Sequence, residues 1–487
     1  MSRSVKTLQF EELRSLDLQQ CDSVGDIVDG MRYCAFGARM MGEVASTMRE
    51  MVAANEPPLI IYDGVESAPL GGLLAKFVAQ HWCQGIVRPA AYGDRQGGEN
   101  VIVVGAFSER HAEAIYKKPK RSLFINPFDM ARPGLVRDGF FPDAVFADPH
   151  FVMPVIFAAL NQWLNGERST ATSLVAGLSS YGGLATQVAR GAKALDAMMR
   201  DKRCVRFLTL SGAMTVGKMD LIICDMIDQG LIHAVSSTGA LMAHGLVSSI
   251  GLKHYKYNPK FDDTELARRK LNRVTDTLEP ESNLDTVEEV IGEVIEKLDG
   301  KEMLSPTALN KLIGKHLAEN YPNERGILKS AYVKNVPVFV PAFVDSELGN
   351  DIFIHNIKRR RRRRKPVLID LERDSKELIR LVTGAKRFGI FSIGGGVPRN
   401  NVQNVAPLIE IINERLGPTY PNRRFSYGVR ICPDKPHFGH LSGCTYSENE
   451  SWRKADKNGI YAEMLADATQ VWPFLVKYVM ESRKVDK

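Results

Sequence analysis

A lysine becomes a nucleophile when its amine is taken out of water, and the segment LSGCTYSENESWRKAD (Leu441 to Asp456) holds a candidate. Trp452 stands two residues before Lys454, so in an extended segment the two side chains share one side. An indole there can desolvate the amine and lower its pKa from about 10.4, the condition for a nucleophilic lysine. Composition alone does not single it out, because isolated lysines are usually solvated. The setting does.

Two glycine-rich turns follow apolar runs. IGGGVPRNN (Ile393 to Asn401) carries three consecutive glycines, which let a ligand approach the backbone and permit positive φ. GAMTVGKM (Gly212 to Met219) matches the phosphate-binding pattern GxxxxGK[ST] except at its last position, where Met219 replaces the hydroxyl that would hold Mg²⁺. A nucleotide-hydrolysing loop is therefore disfavoured. A glycine turn at a helix start can still hold a dinucleotide's phosphates on free N–H groups. No GxGxxG occurs.

These turns must be positioned by something, and the elements around them read as an α/β chain. Apolar, β-branched runs predict strands at 59–64, 100–107, 205–212, 234–238, 336–343 and 388–396, alternating with longer helical patterns. In open α/β sheets ligands sit at the carboxyl ends of strands, which is where both glycine turns fall. A helix–strand unit beginning at Phe36 is echoed by one beginning at Tyr181, either by duplication or because such units look alike. The polar stretch Asn161 to Thr172 suggests a division near residue 165, separating 1–165 from 166–487. The charged stretch Asp262 to Lys315 reads as helical, with EEVIGEVIEKL forming a surface helix.

The chain has 487 residues, with 44% hydrophobic and 25% charged, values of an ordinary globular protein. The net charge of +7 comes from one place. Lys358 to Lys365 (KRRRRRRK) supplies eight cations, and the remainder carries one net negative charge. No general nucleic-acid surface is implied; the run reads as a solvated loop inserted between ordered segments. No apolar stretch approaches the roughly 20 residues of a membrane span, and the N-terminus lacks signal-peptide character. Seven cysteines without a CxxC pair suit reduced thiols in a cytosol and give structural zinc little support.

VRFLTLSGAMTVGKM, SSTGAL, RRKLNRVTDTLEP, VPVFVPAFVDSELGNDIF, IFSIGGGVPRNN, LSGCTYSENESWRK and LADATQVWPFLV occur in the order and approximate spacing of the deoxyhypusine synthase family, which the chain resembles from about Ser169 to Glu481. The resemblance implies a Rossmann-like parallel sheet flanked by helices, here with an additional N-terminal α/β region. It also implies NAD as cofactor and spermidine as donor of an aminobutyl group. That group passes through a lysine imine to an acceptor amine, a protein lysine or putrescine. Lys454 takes the place of the family lysine, with Trp452 flanking the polyamine, Glu448 binding a cationic nitrogen, and Asp345 near nicotinamide and substrate. Cofactor contacts are implied at Ser211, Thr215, Ser237, Thr238, Gly239, Gly394, Gly395, Gly396 and Asp467. A cytoplasmic homo-oligomer, a tetramer with sites at subunit interfaces, is implied as well.

The departures lie at the substrate end. Met242 and Ala243 replace an acidic pair, Asn400 replaces a histidine, and Leu441 replaces an aspartate. Asn400 and Leu441 match the bacterial-like branch, in which a free diamine can be the acceptor and homospermidine the product. A noncatalytic NAD-binding or regulatory paralogue is the alternative.

Overall fold

The structure is a computed structural model that describes residues 10–62, 68–87, 100–105, 120–126, 143–301 and 303–485. All six expected runs contain strands, and these divide between two parallel sheets. The first sheet is built from β1 (Leu59–Tyr62), β2 (Ile86–Val87), β3 (Asn100–Val104), β4 (Arg121–Ile125) and β5 (Ala144–Val145), in the order β2-β1-β3-β4-β5. The ends of two expected runs, at 63–64 and 106–107, lie outside the described residues. Alternate side chains separate onto its two faces. Leu59, Ile61, Val101 and Val103 form one small cluster, while Ile60, Ile102 and Val104 join the main core, as the strand's period of two requires.

The second sheet contains β6 (Cys204–Leu210), β7 (Ala234–Ser237), β12 (Val338–Phe339), β14 (Arg387–Ile393), β15 (Phe425–Ile431) and β16 (Ala455–Met464). Its order is β12-β7-β6-β14-β15-β16, parallel throughout. In β14 every residue after Arg387 is buried, the mark of a central parallel strand covered on both faces. From β6 the chain builds outward through β7 and β12, then returns to place β14 on the other side. The strand order therefore reverses between β6 and β14, and a crevice opens there at the carboxyl ends.

Between the two halves of this sheet the chain departs from the expected helical pattern. Helices do form at Asp263–Arg268, Glu281–Glu296 and Pro306–Asn320. A hairpin interrupts them, with β8 (Tyr255–Lys256), β10 (Thr277–Pro280) and β9 (Leu271–Val274) pairing antiparallel in that order. Thr275, at φ 57°, makes the turn. The β-branched residues of RVTDT outweigh the charged surroundings that suggested helix. A short parallel pair, β11 (Met303–Leu304) and β13 (Leu368–Ile369), completes the strands.

Residues 10–53 do not stand apart from the second sheet. The helix Val24–Met31, capped by Ser23, and the helix Phe36–Ala53 pack with Pro149–Leu160 and the carboxyl-terminal helix in one core. Leu13 N–H donates to the His254 carbonyl, Leu16 N–H to that of Lys218, and the buried Arg39 pairs with buried Asp276. Residue 165 ends a one-turn π-helix, followed by Gly166 at φ 76°.

The basic run is not a loop along its whole length. Lys358 to Arg361 complete the helix Glu347–Arg361, and only Arg362 onward leave it. Arg359 is fully buried and donates to the carbonyls of Lys365, Ile295 and Leu298 at 2.7, 3.0 and 2.9 Å. Its guanidinium satisfies carbonyl oxygens where a helix end leaves them free, and this sets it apart from its exposed neighbours.

Candidate functional site

The crevice between β6 and β14 is closed at its base by hydrogen bonds that carry the ladder past the strand ends. Ser211 N–H donates to the Ile393 carbonyl at 3.1 Å, and Gly394 N–H donates to that of Ile431 at 2.7 Å. Ser211 Oγ accepts from Gly395 N–H at 2.8 Å and so ties the two glycine turns together. Close approach explains the glycines. A Cβ on Gly394, at φ +75°, would lie 2.2 Å from Ser211 Oγ, and one on Gly395 would lie 2.5 Å from Ser442 Cα. Gly395 then caps the helix Gly396–Gln403, whose first turn faces the crevice with free N–H groups.

The cavity that results has a volume of about 720 Å³, inside the range of roughly 300–1,000 Å³ usual for cofactor sites. Ser211, Thr238, Gly394, Gly395, Gly396, Asp345 and Asp467 all line it. Asp467 accepts from Thr469 N–H and Oγ at 2.7 and 2.8 Å. Burial pushes its carboxyl above the usual carboxylate range. A small-residue floor, a helix start and a carboxylate for hydroxyls fit a dinucleotide. Two walls come from residues that the motifs could not reveal. Phe36, held at φ 59° with its N–H on Asp276 Oδ2 at 3.0 Å, and Phe146, directly after β5, also line the cavity.

Three expected cofactor residues point elsewhere. Thr215 is buried and donates to the Leu241 carbonyl at 2.9 Å, and buried Ser237 donates to that of Thr238 at 3.1 Å. Gly239 starts the helix Gly239–Ser249, and a Cβ there would meet Ser346 Oγ at 2.2 Å, so its role is packing of that helix. Lys218, which gave the phosphate-loop pattern its lysine, is buried against Ser248 Oγ and His254 Nδ1 at 3.1 and 2.9 Å. It is turned into the protein.

Lys454 is set by a short chain of local causes. Thr445 Oγ accepts from Glu448 N–H and starts the helix Tyr446–Ser451. Arg453 then takes φ 56°, and Lys454 N–H returns to the Asn449 carbonyl at 2.9 Å. Arg453 is anchored on Glu410 at 2.9 Å, and the Lys454 carbonyl accepts from Phe425 N–H, beginning the pairing of β15 with β16. The segment is thus a helix end and not an extended strand. Lys454 Nζ still lies 5.8 Å from the centre of the Trp452 ring, and it donates to Asn400 Oδ1 at 2.7 Å. The side chain is buried while Trp452 and Glu448 are exposed, and burial pushes the Lys454 ammonium below its ordinary pKa.

Two buried arginines hold the loop before this helix. Arg430 donates to the Ser442 and Cys444 carbonyls at 2.5 and 3.0 Å and pairs with Glu463 at 3.1 Å. Arg399 donates to the Cys444 carbonyl at 2.7 Å and lies over the Tyr446 ring. Lys454, Asn400, Trp452 and Glu448 are not among the described residues that line the cavity. Lys454 precedes β16 at its amino end, whereas the cavity lies at the carboxyl ends of the strands. Within one chain the cleft and the backbone of the desolvated lysine thus stand at different ends of the strands, with the helix Gly396–Gln403 running from the cleft to Asn400 beside the amine.

The family model for deoxyhypusine synthase matches residues 173–479. The chain is 30% identical over 312 residues to the "Probable deoxyhypusine synthase 2" of Methanosarcina acetivorans, covering 64% of this chain and 87% of that protein. It is 30% identical over 302 residues to the "Deoxyhypusine synthase-like protein" of Chlorobaculum tepidum, covering 61% and 83%. A third relative, "Probable deoxyhypusine synthase 1" of Archaeoglobus fulgidus, is 31% identical over 297 residues, covering 61% and 89%. The matched span holds the reversed parallel sheet, the glycine turns and the desolvated lysine, and on that span the chain belongs to the deoxyhypusine synthase family.

Proposed function

We propose that this chain is an NAD-dependent aminobutyltransferase that takes the aminobutyl group of spermidine onto Lys454 and passes it to an acceptor amine. The observation that carries the reading is the buried Lys454 amine, desolvated beside Trp452 and fixed by Asn400. Ser211, Thr238, the three glycines and Asp467 would hold NAD, which when bound would supply hydride acceptance from the donor carbon and hydride return at the end. The oxidised donor is an imine. Lys454 attacks its carbon, 1,3-diaminopropane leaves, and a lysine imine remains; the acceptor amine then displaces Lys454 before the final reduction.

Asn400 accepts a hydrogen bond but takes no proton, so the neutral form of Lys454 arises from desolvation. Glu448 and Asp345, both exposed, supply carboxylates for the cationic nitrogens, and Asp345 also lines the cleft. Met242 and Ala243, in place of an acidic pair, are buried, which favours an acceptor and donor site with fewer carboxylates. We further propose that the lysine of one copy serves the cleft of another in a homo-oligomer, because the two parts occupy different ends of the sheet. We also propose that residues 1–165 are an N-terminal α/β region added to a catalytic part 166–487, the two joined through a common core.

Incubation with NAD and spermidine followed by borohydride leaves a reduced aminobutyl adduct on Lys454, identified by peptide mass. No adduct on any lysine sinks the mechanism. Tight NAD binding without diaminopropane release points instead to a noncatalytic paralogue. Product analysis with putrescine separates homospermidine formation from modification of a protein lysine.

A further inference from the structure

Outside the cleft, two imidazoles and a carboxylate converge where three elements meet. His244 lies on the helix Gly239–Ser249, His254 lies immediately before β8, and Glu279 lies in β10. Candidate ligand atoms of the three all fall within 4.8 Å of one another. His254 is completely buried and Glu279 is 1% exposed. Such groups are costly to bury unless each polar atom finds a partner.

The atoms facing the common point have only one another. His244 Nδ1 is 2.6 Å from Glu279 Oε2, and His254 Nε2 is 3.3 Å from Glu279 Oε1. Close as they are, these four atoms are buried without a well-formed hydrogen bond. The opposite ring nitrogens are engaged. His254 Nδ1 lies 2.9 Å from Lys218 Nζ, which also meets Ser248 Oγ, and His244 Nε2 faces Glu347 at 3.9 Å. Of the two, His244 has a carboxylate facing its outer nitrogen while the inner one turns toward other candidate ligands, as in metal-bound histidine; His254 would have to carry its proton on Nδ1 and donate it to the Lys218 amine for Nε2 to ligate.

We propose that His244, His254 and Glu279 form a binding site for a divalent transition-metal ion. Two nitrogens and one carboxylate suit Zn²⁺ with a fourth position left for water. Binding would join the antiparallel sheet of β8, β10 and β9 to the helix that begins beside the cleft at Thr238 and Gly239. The ion then holds a wall of the site in place and takes no part in hydride or aminobutyl transfer. The competing reading is a buried ion network in which Glu279 shares protons with the two imidazoles and no metal enters.

The full chain is stripped with chelator, incubated with excess Zn²⁺ and desalted, and its metal is counted by mass spectrometry. The proposal expects about one ion per chain and a rise of several degrees in unfolding temperature on adding Zn²⁺. Co²⁺ in its place should give visible absorption of a four-coordinate site. His254→Asn and Glu279→Gln should each lose the bound ion, and His437→Asn, remote in sequence and outside the cluster, should keep it. Metal at background levels, with neither a Zn²⁺-dependent shift nor Co²⁺ absorption in the unmutated chain, overturns the site in favour of the ion network. That readout is independent of whether the variants fold, and of any transferase activity.

Discussion

Lys454 Nζ donates to Asn400 Oδ1 at 2.7 Å, joining the start of β16 to the helix that follows the triple glycine. A neutral amide leaves the lysine free to lose its proton, whereas a carboxylate in the same place would favour the ammonium. Asn400→Asp is expected to raise the lysine pKa by about 1–3 units. Since attack needs the neutral amine, the rising acidic limb of the pH–rate profile moves to higher pH by that amount. An unchanged limb would show that Lys454 is not the group being titrated.

Gly395→Ala tests the cleft from the backbone side. Its Cβ would fall 2.5 Å from Ser442 Cα, a backbone atom with little room to give. NAD affinity, followed by fluorescence titration, should drop at least about tenfold, or 1.4 kcal/mol. Gly71→Ala, where nothing lies within 4 Å of the new atom, is the control and should leave binding intact.

Phe36 separates stacking from strain. Its φ of 59° is costly for a residue with a Cβ, by about 1–2 kcal/mol. Phe36→Gly and Phe36→Ala both remove the ring from the cleft, but only glycine relieves the backbone. Both should weaken NAD binding several-fold, and the glycine variant should melt at the higher temperature. Unaltered NAD affinity in both would remove Phe36 from the cofactor site.

Arginines of one run should differ in what they contribute to stability. Arg359→Ala leaves three carbonyl oxygens without their donor, that of Ile295 buried and those of Lys365 and Leu298 partly so, and is expected to cost about 2 kcal/mol. Arg361→Ala, at an exposed position of the same helix end, should fall within about 0.5 kcal/mol of the parent. Chemical denaturation of the two variants gives the comparison directly.

Asp351 carries a pH signature. Burial, with Glu288 and Glu347 nearby, pushes its carboxyl up to about 6. The folded chain thus holds a proton that the unfolded chain releases near its ordinary value. The Asp351 contribution to stability is therefore greatest below that ordinary value and is lost as pH rises toward 6 and beyond, by an amount of order 2–3 kcal/mol. Asp351→Asn should flatten this part of the stability–pH curve, and an unchanged slope would contradict the assignment.

Much of the second sheet was legible because β6 and β14 are continuous apolar runs ending in glycine turns. β15 and β16 were not, since FSYGVRI and ADKNGIYAEM mix polar and apolar residues in the manner of strands near a sheet edge. Lys454 could be found from its neighbour Trp452, although the left-handed turn at Arg453, not an extended segment, brings them together. The pattern around Gly212 was misleading in detail. Thr215 and Lys218 have the right types for phosphate binding, but their side chains bond to the helix Gly239–Ser249 and to His254. Phe36 and Phe146 carried no local signal at all, because their position in the cleft depends on how the first sheet and its helices pack. Arg399 and Arg430 were missed for the same reason, since only the fold gives them loop carbonyls to hold.

The cleft and the lysine lie at opposite ends of the same sheet, and on the proposed shared site this has a genetic consequence. A chain lacking Lys454 still owns a good cleft, and a chain with a blocked cleft still owns a good lysine. Mixed in one assembly, two inactive chains would regenerate some working sites, while each alone would remain silent. Rescue between defective alleles is thus written into the distance that separates the two ends of β16.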